Sequence, residues 1–182
     1  MKKILFFAFI LFSANTITAQ DDSIVNSLDK KNEIKLNAVM LLVGAFEMSY
    51  ERNLNDDSSA GISAFVPFDD EVFEDYNYSI SPYYRIYFSR KYAAGFFVEG
   101  FTMLNSIDHQ KIWIYDNNGN LLEKKTDTYV DLALGFGIGG KWVTKRGIVF
   151  ELVGGIGRNL LHADEFGTTI VGKFGFNLGY RF

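Results

Sequence analysis

The final stretch of the chain, residues 170–182, alternates between two kinds of side chain. Every second residue is apolar or glycine, namely Ile170, Gly172, Phe174, Phe176, Leu178, Tyr180 and Phe182. The residues between them are mostly small or polar. A repeat of two is the period of a β-strand, in which successive side chains point to opposite faces. This stretch is therefore predicted to be a strand with one apolar face, which the fold must keep away from water.

The same alternation recurs along the chain and predicts eight strands in all. We place them at residues 34–42, 45–53, 60–66, 78–88, 94–104, 128–142, 148–159 and 168–182. In the sixth segment, large apolar residues occupy one face, whereas glycines accompany Asp131 and Lys141 on the other. Pro82 lies within the fourth segment, and because proline cannot donate a ladder hydrogen bond we expect a local bulge there.

The connections between these segments alternate in length. Short turns are expected at residues 54–58, 89–92 and 144–147, and longer loops at 67–77, 105–127 and 160–167. Gly44 marks a much shorter first outer loop. Short periplasmic turns and longer extracellular loops are typical of bacterial outer-membrane barrels.

Two architectures fit an alternating all-β chain. A soluble sandwich or barrel turns its apolar face inward, whereas a membrane barrel turns that face outward. Here the wide apolar face carries almost no polar residue, and the small residues and few charges of the other face fit the narrow interior of an eight-stranded barrel. We therefore predict an eight-stranded antiparallel up-and-down transmembrane β-barrel.

The N-terminus has the features of a secretion signal. Lys2 and Lys3 precede the apolar residues 4–12, and small residues lead to Ala19. This apolar run is too short for a membrane-spanning helix, which needs about 20 residues. We expect cleavage after Ala19, which divides the chain into a signal peptide (1–19), a periplasmic lead-in (20–33) and an outer-membrane barrel domain (34–182).

Composition excludes several classes of function. The net charge of −4 argues against a nucleic-acid partner. The chain contains no cysteine, which excludes disulfides, a lipid-anchored cysteine and thiolate metal sites. We find no phosphate-binding loop or zinc motif, so we expect no cofactor and no metal centre.

Three short stretches carry a resemblance to a known family. Residues 49–53 (SYERN), 81–85 (SPYYR) and 95–100 (GFFVEG) resemble a Bacteroidota-type family of small outer-membrane barrels, which is catalogued as a domain of unknown function. The broader similarity is to OmpA-like and OmpX-like eight-stranded barrels, and it covers about residues 33–182. The resemblance implies a fold and an outer-membrane location, and it brings no catalytic residue.

The closing strand also resembles the C-terminal assembly signal of outer-membrane barrels. In that resemblance Tyr180 and Phe182 are the aromatic residues that the barrel-assembly machinery recognises. The expected partners are therefore this machinery and outer-membrane lipid, with the protein itself a monomer. The sequence does not identify an extracellular ligand.

The charged residues of the strands are expected to face the lumen. By strand parity these are Glu51, Arg85, Glu99, Asp131, Lys141, Glu151, Lys173 and Arg181, four acids and four bases. A charge in a narrow, poorly hydrated lumen is costly unless it is paired. We therefore predict a network of ion pairs that closes the lumen, with a gated or proton-conducting path as the alternative.

Two outer loops contain candidate binding residues. One loop carries the carboxylates Asp69, Asp70, Glu71, Glu74 and Asp75, which suit Ca²⁺ or Mg²⁺ but lack the EF-hand spacing, so a solvated acidic loop is expected. In the other, Asn118-Gly119 predicts a hairpin turn, with the fifth and sixth strands continuing beyond the membrane as a β-ribbon. Trp113 and Tyr115 alternate along that ribbon and are candidates for a surface-interaction strip, or for an aromatic belt.

Catalysis has weak support in this sequence. His109 and His162 lie in outer loops, with Ser106, Asp164 and Glu165 nearby, so a Ser/His/acid triad can be drawn. No nucleophile elbow accompanies it. We therefore predict a non-enzymatic barrel with a structural or surface-interaction role. The alternatives are a narrow channel for small solutes or ions and, third, a hydrolase acting on outer-leaflet lipid.

Overall fold

The described part of the chain consists of eight strands and one short helix. The strands are β1 (Asn32–Asn37), β2 (Ala45–Asn53), β3 (Ser58–Pro67), β4 (Tyr76–Tyr87), β5 (Gly95–Tyr115), β6 (Leu121–Val143), β7 (Ile148–Asn159) and β8 (Ile170–Arg181), and helix α1 (Ala38–Val43) lies between β1 and β2. Each strand pairs with the next, and β8 pairs antiparallel with β1 to close a barrel. The predicted fold is confirmed, and closure leaves no unpaired sheet edge.

The structure is a computed structural model that describes residues 30–69, 71–115, 121–161 and 170–182, with side chains described outside 109–115 and 121–127. Several predicted features lie outside the described residues. These are the signal peptide at 1–19, most of the lead-in, Asp70, the Asn118-Gly119 turn, His162, Asp164 and Glu165. The side chains of His109, Trp113 and Tyr115 also lie outside them. Among the described residues, no helix has the length and apolar character needed to cross a membrane.

The predicted first strand is wrong in its second half. β1 ends at Asn37, whose side-chain oxygen accepts hydrogen bonds from the backbone N–H groups of Val39 (3.1 Å) and Met40 (3.3 Å). Gly44 then ends the helix in a left-handed conformation, with φ of 113°. A polar N-cap and a glycine C-cap convert an apolar run that reads as a strand into a helical turn.

The bulge expected at Pro82 is also wrong. β4 keeps one register with β5 on both sides of Pro82, and the register shifts instead between Tyr76 and Tyr78. The Ser81 hydroxyl group donates a 2.8 Å hydrogen bond to the carbonyl oxygen of Thr102, the residue opposite Pro82 in this register. This side-chain donor compensates for the N–H group that proline lacks.

Other strand boundaries match the prediction closely. β2 and β7 have the predicted bounds, and β3 and β4 begin two residues earlier than expected. The predicted β-ribbon is confirmed in the backbone, because β5 and β6 remain paired as far as Tyr115 and Leu121. We call this end of the barrel the distal end, and the end that contains Asn32 and Arg181 the proximal end.

The outer surface of the barrel is an apolar band. Its side chains include Ile62, Ile80, Phe136, Ile138, Leu152 and Phe176, which are 40–65% exposed. Two outward-facing arginines mark its limits, with Arg52 near the proximal end of β2 and Arg158 near the distal end of β7. The inner surface is largely polar, so the arrangement is the reverse of a soluble barrel.

Inward-facing glycines of β6 make room for aromatic side chains that cross the lumen. Phe97 is fully buried, and its ring lies against Gly139. A Cβ atom at Gly139 would clash with the carbonyl oxygen of Leu152 and lie 2.5 Å from Phe97 Cζ. By contrast, a Cβ atom at the outward-facing Gly154 would meet nothing within 4 Å.

Gly139→Ala is therefore expected to destabilise the barrel by about 1–3 kcal/mol, the usual cost of overpacking an interior. The matched variant Gly154→Ala should unfold at the same denaturant concentration as the unmutated protein, or slightly higher. Unfolding in detergent, followed by circular dichroism, measures both. Equal midpoints for the two variants would contradict the packing of Phe97 against Gly139.

The polar lumen as the candidate functional site

The charged side chains expected to face inward lie inside the barrel in this structure. They are Glu51, Arg85, Glu99, Asp131, Lys141, Glu151, Lys173 and Arg181, and none is more than 7% exposed. Adjacent strands bring them together because alternate residues of every strand share the inner face. Most of them form one connected cluster of ion pairs, which we call the lumen network.

Sequence reasoning missed three charged residues of the inner face. Glu33 and Lys35 are buried in β1, and Glu47 lies two inward positions before Glu51 in β2. The predicted first strand began one residue too late to include Glu33. The alternation around Ile34 and the parity of Glu51 are the signals that would have found all three.

Glu51 lies at the centre of the lumen network. Its Oε2 atom is 2.5 Å from Lys35 Nζ and 2.7 Å from Arg85 Nη1, and its Oε1 atom contacts Lys141 Nζ. Two phenol groups also donate hydrogen bonds to this carboxylate, those of Tyr83 (3.1 Å) and Tyr87 (2.8 Å). Three cations and two hydroxyl groups thus compensate one carboxylate that is fully removed from solvent.

Arg85 joins three carboxylates through its planar guanidinium group. Its Nε atom donates to Glu99 (2.6 Å), and Nη1 and Nη2 donate to the two oxygens of Glu151 (2.7 and 3.0 Å). The same group lies between the rings of Tyr83 and Phe97, at 4.4 and 4.3 Å from their centroids. A bidentate pair and ring stacking are contacts that arginine makes and lysine cannot reproduce.

The network continues to the proximal end. Lys141 Nζ lies 2.9 Å from Glu33, and Glu33 is 2.6 Å from Arg181 Nη2. Arg181 also donates to the backbone carbonyl groups of Tyr92 (3.2 Å) and Ala93 (2.8 Å) in the β4–β5 turn. This turn is thereby held across the proximal opening.

Towards the distal end, Lys173 pairs with Glu99 at 2.5 Å and lies over the rings of Tyr83 and Phe101. Asp131 has a different set of contacts near the distal rim. Its Oδ1 atom accepts hydrogen bonds from the N–H groups of Leu132 (2.7 Å) and Leu161 (3.0 Å). These bonds anchor the start of the β7–β8 connection to β6.

A small void lies between the side chains at the level of the network. The void beside Tyr83, Arg85 and Lys173 has a volume of about 10 Å³, roughly the space for one water molecule. The distal mouth above it contains a larger cavity of about 620 Å³.

The remaining candidate residues occupy the surface of the barrel. Tyr180 and Phe182 face outward and are 45% and 50% exposed, and the backbone of Phe182 exchanges hydrogen bonds with Asn32 at the seam between β8 and β1. Asp69 accepts a hydrogen bond from the N–H group of Glu71 (3.1 Å) and so helps to shape the acidic loop. Among the side chains that the structure describes, no group of three or more histidines, aspartates or glutamates is placed to hold a metal ion.

Comparison with known proteins shows that this chain is similar in fold to a solved β-barrel domain. No family model and no curated protein matches this chain. Among solved structures, it is similar to the N-terminal β-barrel domain of Pseudomonas aeruginosa OprF, with a TM-score of 0.53 and 13% identity over 84% of this chain and 98% of that one. It is also similar to the Yersinia pestis outer membrane protein Ail, with a TM-score of 0.41 and 17% identity over 84% of this chain and 99% of that one. The first likeness supports the barrel fold, and membership of a Bacteroidota-type family stays a prediction.

Proposed function

We propose that this protein is a non-enzymatic outer-membrane β-barrel with a structural or surface-interaction role, whose lumen is closed by ion pairs. The observation that carries the proposal is the lumen network. It connects Lys173 to Arg181 through paired side chains and leaves a void of about 10 Å³ beside it. Such a lumen suits a rigid scaffold that presents its distal surface.

The outer surface supports the placement in a membrane. Ile148 and Arg158 are ten residues apart along β7, and the outward side chains from Ile148 to Ile156 are apolar or glycine. With a rise of about 3.3 Å per residue and a tilt of about 40°, this segment spans about 25 Å, the height of the apolar band of bacterial outer-membrane barrels. A band of this size exposed to water would promote aggregation.

The proposal includes delivery and assembly. Residues 1–19 would direct secretion and be removed, and residues 20–33 would lie in the periplasm. Tyr180 and Phe182 would first contact the barrel-assembly machinery. In the folded protein they would lie at the periplasmic interface of the outer membrane, where aromatic side chains are favoured. The folded protein would be a monomer surrounded by outer-membrane lipid.

Planar-bilayer recording of the refolded protein tests the closed lumen. We expect no stable conductance steps above the protein-free baseline, because an ion crossing the lumen must break buried pairs. A porin inserted in the same membranes provides the positive control. Stable, reproducible conductance of the unmutated protein would contradict the closed lumen and favour the narrow channel.

A further inference from the structure

Apart from Lys173, the distal cavity is lined by side chains that take no part in the lumen network. It lies above Lys173 and has a volume of about 620 Å³, within the range of about 300–1,000 Å³ that is usual for small-molecule sites. Its walls come from β2, β3, β4, β5 and β8, the segment 71–75, and Met40 of α1. The void at the level of the network is only about 10 Å³, whereas the distal mouth contains a preformed recess.

Three aromatic rings form a corner of this recess. The ring centroids of Phe65 and Phe73 are 5.3 Å apart, with an angle of 73° between the ring planes. The ring centroids of Phe65 and Tyr76 are 5.5 Å apart, with an angle of 89° between the planes. The Tyr76 hydroxyl group is fixed by a 3.6 Å hydrogen bond to Met103 Sδ. Rings set nearly at right angles present both faces and edges to a neighbouring group, and an aromatic face attracts a cation.

The described residues that line the recess carry a negative net charge. Among them are four carboxylates, those of Glu47, Glu71, Glu74 and Asp75, and one cation, that of Lys173. The Lys173 ammonium group is 2.5 Å from Glu99, a member of the lumen network. Glu47 is oriented by Asn37, whose amide group donates a 2.7 Å hydrogen bond to its Oε2 atom.

We propose that the distal recess binds a small organic cation with an apolar body, of the quaternary-ammonium class. Such a cation is weakly hydrated, suits aromatic faces, and is further attracted by nearby carboxylates. A hard metal ion would need an oxygen cage, whereas this lining is largely aromatic and aliphatic. The proposal deepens the surface-interaction role proposed above and rests on it.

Methionine methyl groups give a direct measure of binding. Met40 and Met103 line the recess, whereas Met48 faces outward on β2 and is 43% exposed. The protein, labelled with ¹³C at the methionine methyl groups and placed in lipid nanodiscs, is titrated with benzyltrimethylammonium. The resonances of Met40 and Met103 are expected to shift saturably, and that of Met48 to stay unchanged. Phenylmethanesulfonate, an anion of similar size, should shift none of them.

Two substitutions locate the site. Tyr76→Leu removes one ring and is expected to weaken binding by about three- to tenfold, the usual value of one cation–aromatic contact. Glu47→Gln removes one charge and is expected to weaken binding by about the same factor, because the carboxylate attracts the cation. Tyr78→Leu, two residues along the same strand on the outward face, is the matched control and should leave the affinity unchanged. Unaltered gel mobility of the unboiled variants confirms that each still folds.

Three results would overturn the proposal. They are no shift at Met103 at saturating probe, equal shifts with the sulfonate, and parallel shifts at Met48 that indicate partition into lipid. None of these results bears on conductance, so the closed lumen would remain supported if the ligand site failed.

Discussion

Replacing Arg85 with alanine is expected to lower the free energy of unfolding by about 3–5 kcal/mol, the usual cost of removing one partner from a buried ion pair. The loss would leave Glu51, Glu99 and Glu151 without the group that joins them. Lys35, Lys141 and Lys173 would still pair with these carboxylates, but each carboxylate would lose part of the compensation for its burial, which disfavours the folded state. Denaturant unfolding of the refolded barrel in detergent, followed by circular dichroism, measures the change.

Two further variants separate charge from geometry. Arg90→Ala removes an exposed arginine in the proximal turn and is expected to have little effect on the unfolding midpoint. Arg85→Lys keeps the charge but loses the bidentate contact with Glu151 and the stacking on Phe97, so its midpoint should lie between those of the unmutated protein and Arg85→Ala. Equal midpoints for Arg85→Ala and Arg90→Ala would contradict the lumen network.

Replacing Leu152 with arginine is expected to destabilise the barrel in lipid by about 2–4 kcal/mol, the cost of a cation on the lipid-facing surface near the middle of a bilayer. Leu152 faces outward near the middle of β7 and is 47% exposed. The measurement is the unfolding free energy of the variant refolded into lipid vesicles.

An arginine at another membrane depth on the same strand provides the control for Leu152→Arg. Ile148 also faces outward but lies at the proximal end of β7, near the expected interface, where the cost falls to about 0–1 kcal/mol. Ile148→Arg should therefore be the milder variant. If the two arginine variants lost the same stability, the apolar band would not be the membrane-spanning surface.

Periodicity predicted the face of each strand residue but not its partner. Alternation alone assigned Glu51 and Glu151 to the inner face. It could not show that both contact Lys35 of β1, because that contact depends on the register and closure of the whole barrel. Pairing across the lumen is a three-dimensional property that a repeat of two does not contain.

The capping residues of helix α1 explain why the predicted first strand is wrong in its second half. The apolar run AVMLLV fits the end of a strand, yet Asn37 caps its N-terminal side and Gly44 its C-terminal side, and the run forms a helical turn. The contact between the rings of Phe65 and Phe73 does not follow from the sequence pattern. Phe65 lies in β3 and Phe73 in the connection between β3 and β4, and only the folded conformation of that connection brings the two rings together.

Gel mobility of fractionated membranes is the most direct test of a folded barrel in the outer membrane. The protein should be recovered with the outer membrane, and the unboiled sample should migrate differently from the boiled one, because a closed barrel resists unfolding by detergent at room temperature. Recovery in the soluble periplasmic fraction, with the same mobility before and after boiling, would contradict the account.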